Sequence, residues 1–91
     1  MQTHNLKTWP KYFQEIWDGK KKFEVRKNDR NFKVGDKLYL KEWDPEKEIY
    51  LSRRIICKVP YILNGGAFGI DNNTVIMSIE VESKEQIQIA N

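Results

Sequence analysis

The chain has 91 residues, of which 40% are hydrophobic and 32% charged, a balance that excludes general disorder and leaves room for one domain over 1–91. A domain of this size buries only roughly 60–65% of the surface its unfolded chain exposes, so the core must be thin. The net charge is +3, and a single cysteine, Cys57, excludes an internal disulfide.

Residues 3–7 predict a short first strand. A helix over about 9–18 follows. Thr8 or Trp9 stands at the N-cap, Pro10 fits the first turn, where its missing N–H costs nothing, and Gly19 is the natural residue past the C-cap. Trp9, Phe13, Ile16 and Trp17 recur at helical spacing and are expected to form one core-facing stripe. A helix this short needs a sheet to lie on.

The remainder reads as strands. Residues 22–26 alternate, with Phe23 and Val25 on one face and Lys22, Glu24 and Arg26 on the other. Asn28-Asp29-Arg30-Asn31 is a turn cluster, and Gly35-Asp36 is a second turn signal. Residues 37–43 alternate again, with Leu38, Leu40 and Glu42 sharing the inward face. Residues 49–63 are long and β-rich, with Pro60 marking an edge, bulge or bend. Residues 74–81 form a last strand, and the polar stretch 82–91 is expected to be a flexible tail or a weak helix. The strands lie too close together for repeated crossover helices. The expected class is therefore α+β, mainly β: a largely antiparallel barrel of about five to six strands.

Charge is concentrated. The fourteen residues from Lys20 to Lys33 hold seven basic side chains against Glu24 and Asp29, a net of +5, while the rest of the chain sums to −2. Such a segment is either a solvated basic hairpin or a surface for an anionic partner. No apolar run approaches the roughly 18 residues of a membrane span, and the first residues lack the apolar stretch of a signal peptide. Cys57 reads as a buried, inert thiol. A cytoplasmic, monomeric protein without membrane contact is expected.

Within the basic segment stand Gly19, Lys21, Glu24 and Arg26 in the pattern Gly-x-Lys-x-x-Glu-x-Arg, followed by the Gly35-Asp36 turn. The chain resembles the ASCH domain family, small β-barrels related to PUA domains. It is similar more closely to an uncharacterised ASCH-like family of bacteria and phages. That likeness is carried by His4, Leu6 and Lys7; by Arg26, Asn28, Asp29 and Arg30; and by Leu38, Leu40 and Glu42. It runs from about His4 to Glu80. The resemblance implies a PUA-like pseudobarrel with a cleft beside the helix and an RNA or nucleotide ligand. A few relatives hydrolyse modified nucleosides or cleave RNA.

The candidate RNA- or anion-binding set is Lys21, Lys22, Glu24, Arg26, Lys27, Asn28, Asp29, Arg30 and His4. An arginine fork donates two parallel hydrogen bonds to phosphate, and Lys20 and Lys33 add positive charge. Tyr39 and Trp43 share a strand face with Lys41, as core packing or as stacking groups. Two readings of the polar cluster stay open. Glu24, Arg26 and Glu42 form a structural ion-pair network, or Lys21 and Arg26 bind the ligand while Glu24 orients them. Glu42 is expected to pair with Arg26 or Lys21. His4 is a structural histidine or a base or ligand. The alternative to a binding module is a small hydrolase acting on a modified nucleoside or RNA through Lys21 and Glu24, with Glu42. By resemblance, Lys21 aligns with the lysine of ASCH-like amidohydrolases, but Glu24 replaces their threonine, which weakens that reading. A third reading is a phage or mobile-element interaction protein with a protein partner. One histidine and one cysteine do not make a usual zinc site, and no cofactor is expected.

Overall fold

The computed structural model describes residues 1–88. Alternating burial along β1 (Thr3–Thr8) turns His4, Leu6 and Thr8 inward. Helix α1 (Pro10–Trp17) follows at once, with Trp9 at its N-cap and Pro10 in its first turn. Only Phe13 and Ile16 of the helix are fully buried, and Trp17 packs at the core's margin. Trp9, expected in the core, is instead 55% exposed, because the N-cap residue points off the stripe that Phe13 and Ile16 define. The helix ends in a Schellman motif. Gly19 takes φ +77°, its N–H bonds the Ile16 carbonyl, and the Lys20 N–H bonds the Glu15 carbonyl. The Lys21 N–H joins the same Glu15 carbonyl at 3.0 Å, so the chain is folded back tightly where Lys20 and Lys21 begin.

Six more strands complete the fold: β2 (Phe23–Lys27), β3 (Lys37–Asp44), β4 (Ile49–Lys58), β5 (Ile62–Asn64), β6 (Thr74–Ser78) and β7 (Glu80–Gln86). Seven strands thus replace the expected five to six. They form two sheets, ordered β1-β3-β4-β7 and β2-β6-β5. Four of the five pairings are antiparallel, and β1 with β3 is parallel. That parallel pair needs a crossover, which α1 and β2 supply. The class is α+β, mainly β, a pseudobarrel in which both sheets and the helix enclose one core. Leu6, Leu38, Leu40, Ile55 and Cys57 enter it from the first sheet, and Val75 and Met77 from the second.

The chain changes sheets four times, and the last two changes, from β4 to β5 and from β6 to β7, have local causes. Pro60 stands in the bend between β4 and β5, where its missing N–H breaks the ladder. The expected last strand over 74–81 is divided at Ile79, whose buried side chain plugs the core and whose N–H bonds the Lys22 carbonyl. Beyond it the chain joins β4 as β7, so residues 82–86, expected to be part of a flexible tail, are strand. The backbone ladder with β4 outweighs the polar composition of this segment, which sits half in solvent at the sheet edge. The rest of the expected tail, 89–91, lies outside the described residues.

Candidate functional site

β1 and β2 are both outermost strands of their sheets, and a cleft of about 700 Å³ opens between them beneath the start of α1. Its polar floor comes from β2. The alternation of β2 is as the sequence predicts, but its sense is the reverse of what hydrophobicity favours: Glu24 is 3% exposed and Val25 is 51% exposed. Pairing explains the inversion. Lys21 Nζ donates to Glu24 Oε1 at 2.7 Å, and Arg26 Nε donates to Glu24 Oε2 at 2.8 Å. A carboxylate with a cation on each oxygen can be buried where a lone one cannot. Arg26 Nη2 also donates to Thr8 Oγ1 at 3.1 Å, which ties β2 to β1 across the cleft.

These bonds position the cations without saturating them. Lys21 has three N–H donors; one goes to Glu24 and one to the Phe23 carbonyl at 2.6 Å. Arg26 has five, of which Glu24 and Thr8 take two. Within the described residues, the remainder are available to a ligand. The β2 backbone contributes too. The Lys22 carbonyl and the Asn28 N–H face β6 and its flank, so antiparallel alternation turns the N–H and C=O of Phe23 and Val25 toward the free edge.

The cleft walls are aromatic. Trp9 and Tyr12, three residues apart, expose much of their rings and lie 6.4 Å apart at 26°. Phe23 lines the same cleft, with Lys21 Nζ 4.9 Å from its ring centroid. Sequence reasoning missed Trp9, Tyr12 and Phe23 as wall residues. The available signal was Tyr12, an aromatic residue off the Phe13–Ile16 stripe of an eight-residue helix.

A second hollow of about 370 Å³ adjoins the first and shares Lys7 and Arg26 with it. Lys27, Asp29 and Arg30 line it, as does Tyr50. Arg30 and Asp29 form only a loose, exposed pair, Nε to Oδ1 3.9 Å. Lys7 Nζ lies 4.0 Å from the centroid of Trp43, which packs edge-to-face on Tyr50. Trp43 and Lys41 therefore belong to a mixed aromatic and basic outer face, with Tyr39 beside Lys41.

Several expected site residues lie elsewhere. Lys22, Asn28 and Lys33 are exposed but line neither hollow. Lys22 and Asn28 serve through their backbones, in bonds to Ile79 and Asn73. His4 is buried and structural. As an acceptor-only carboxylate, Asp36 takes a hydrogen bond from His4 Nε2 at 2.8 Å, with further bonds from the Gln2 and Lys33 N–H groups. Burial alone would push the Asp36 carboxyl up; the bonds from His4, Gln2 and Lys33 outweigh it and hold the group below its ordinary 3.8. Glu42 does not pair with Arg26 or Lys21. Arg53 binds it through both forks, at 3.0 and 2.8 Å. The hydrogen bonding that Arg53 donates to Glu42 raises Arg53 above its ordinary range against the opposing effect of burial, and the guanidinium lies 5.1 and 5.0 Å from the rings of Phe13 and Trp17. The expected Glu24–Arg26–Glu42 network is thus two separate clusters, Lys21–Glu24–Arg26 and Arg53–Glu42. The pairing of Lys41 with Arg54 across β3 and β4, one step before the register shifts, sets Arg53 beside Glu42.

Residues 3–79 match the family described as Domain of unknown function (DUF3850), and the chain belongs to that family. It is also similar to an uncharacterised 12.9 kDa protein in the GpA 3′ region of Escherichia phage P2, with 38% identity over 56 residues. That match covers 62% of this chain and half the length of the phage protein.

Proposed function

We propose that this family member is an RNA- or nucleotide-binding module whose cleft takes one base. The observation that carries the reading is the pairing of exposed aromatic walls with a floor of positioned cations that retain unused donors. Base stacking on Trp9, Tyr12 or Phe23 is worth about 1–3 kcal/mol per base, and Lys21 and Arg26 supply hydrogen bonds to the polar edge. Glu24 is a positioning group: both of its oxygens are occupied. The cations of the two hollows outnumber their carboxylates six to three, which favours an anionic ligand. The resemblance of Gly19, Lys21, Glu24 and Arg26 to the ASCH pattern supports the same reading, and with it a PUA-like ancestry. No helix among the described residues is long and apolar enough to cross a membrane. We place the protein in the cytoplasm, acting as a monomer.

The test is a binding titration of mononucleotides and a labelled single-stranded RNA with wild type, Tyr12→Ala and Arg26→Ala at low salt. Both substitutions are expected to weaken binding. Indifference to both, or no binding by wild type, sinks the reading. A second reading rests on Lys21 and Glu24, 2.7 Å apart on the cleft floor: hydrolysis of a modified nucleoside. Turnover of an acyl-cytidine panel that disappears in Lys21→Ala would replace binding by catalysis. The phage relative motivates a third outcome, recovery of one tight host protein with no nucleic acid.

A further inference from the structure

We infer that the second hollow is a phosphate subsite, so that the two hollows together hold one phosphorylated nucleotide. The inference rests on the base-binding reading of the first hollow and deepens it. The hollows differ in chemistry in the way that a nucleotide differs along its length. The first has the aromatic walls of Trp9, Tyr12 and Phe23. The second has Lys7, Arg26, Lys27 and Arg30 around it against one carboxylate, Asp29.

Continuity is supplied by the two shared residues. Arg26 is anchored on Glu24 and Thr8 and lines both hollows, with N–H donors to spare. Lys7 is held on the other side by the face of Trp43. Both cations are therefore ordered before the ligand arrives, which lowers the entropy lost on binding. The subsite is accessible at small cost. Asp29 and Arg30 are about half exposed and 3.9 Å apart, a pair of the kind that contributes little to stability. A phosphate can replace Asp29 as the partner of Arg30, and there the planar fork gains a bidentate acceptor. A base stacked in the first hollow thus places its attached phosphate beside Arg26, toward Lys27 and Arg30.

The test uses the full chain and NMR titrations, which read millimolar affinities. The probes are the four nucleosides, their 5′- and 3′-monophosphates, and the corresponding dinucleotides at low salt. The paired monophosphates distinguish a free nucleotide end from an internal phosphate of RNA, which the dinucleotides report. Wild type is expected to bind at least one phosphorylated form about tenfold more tightly than its nucleoside. Arg30→Ala and Lys27→Ala are expected to erase most of that preference while nucleoside affinity changes by less than about twofold. Both side chains are exposed, and an unchanged amide spectrum in each variant verifies the fold. Nucleosides binding as tightly as nucleotides overturns the phosphate subsite and leaves the base hollow standing. A phosphate preference untouched by either substitution places the phosphate elsewhere and also overturns it. Silence from every probe overturns both readings.

Discussion

Replacing Arg26 by alanine perturbs the cleft in two measurable ways. The side chain donates to Glu24 Oε2 at 2.8 Å and to Thr8 Oγ1 at 3.1 Å. Its loss leaves one oxygen of a buried carboxylate without a cation, at a cost of about 1–3 kcal/mol. For a domain of this size that lowers Tm by roughly 4–8 °C per kcal/mol. The second effect is on the ligand. Six cations line the two hollows against three carboxylates, which suits neutralisation of roughly three to five phosphates. Log K for single-stranded RNA should then fall with log salt at a slope of about −2 to −4. Without Arg26 the slope should become shallower by about 0.7, and affinity should fall roughly ten- to a hundredfold. Arg26→Lys separates charge from geometry. It retains the slope but loses the fork, so its affinity should lie between the other two. Fluorescence anisotropy of a labelled RNA across a potassium chloride series, run well below the lowest Tm of the three proteins, reads all of these quantities. Parallel salt lines of equal affinity for wild type and Arg26→Ala would refute the reasoning.

Three further outcomes follow from the buried polar groups. Arg53→Ala strands Glu42, which is 5% exposed, and should cost about 3–5 kcal/mol; Arg53→Met with Glu42→Leu should recover most of the lost Tm, and an unaltered Tm in the single variant contradicts the pairing. Asp36 has a folded pKa below its ordinary 3.8, so its stabilising contribution is fully present above that value and is lost as pH falls through the folded pKa. Urea melts of wild type and Asp36→Asn from pH 7 downward should therefore differ by a constant amount until about pH 5 and converge in acid; a gap that widens in acid has the wrong sign. Burial pushes the Cys57 thiol up to about 12, with smaller contributions from Glu24 and Glu82. The native protein should be inert to a thiol reagent near pH 8 and react only on unfolding; rapid native modification argues against that buried position.

Local rules carried the sequence some distance. Pro10 and Gly19 delimit α1, Leu38 and Leu40 alternate inward on β3, and Pro60 breaks the long β segment. Each of these depends on backbone preference or short-range periodicity, so neighbouring residues suffice to decide it. The basic segment was legible for the same reason, since charge density needs no coordinates. Relations across the fold were not. Periodicity separates the two faces of β2, but it does not state which face meets the core. Transfer energies favour Phe23 and Val25 inside, and only the convergence of Lys21 and Arg26 on Glu24 reverses the choice. In the same way, 32 residues separate His4 from Asp36, and the pairing register of β3 with β4 selects Arg53 for Glu42.

By itself, then, the amino-acid order determined an early helix, a β-rich body and a concentration of cations after Gly19. The tertiary structure alone decided that those cations meet exposed aromatic rings between two sheet edges. The physical reason is that a cleft is a relation between surfaces distant in the chain. Packing of β1 and α1 against the first sheet, and of β2 against β6, sets that relation, and no local preference encodes it.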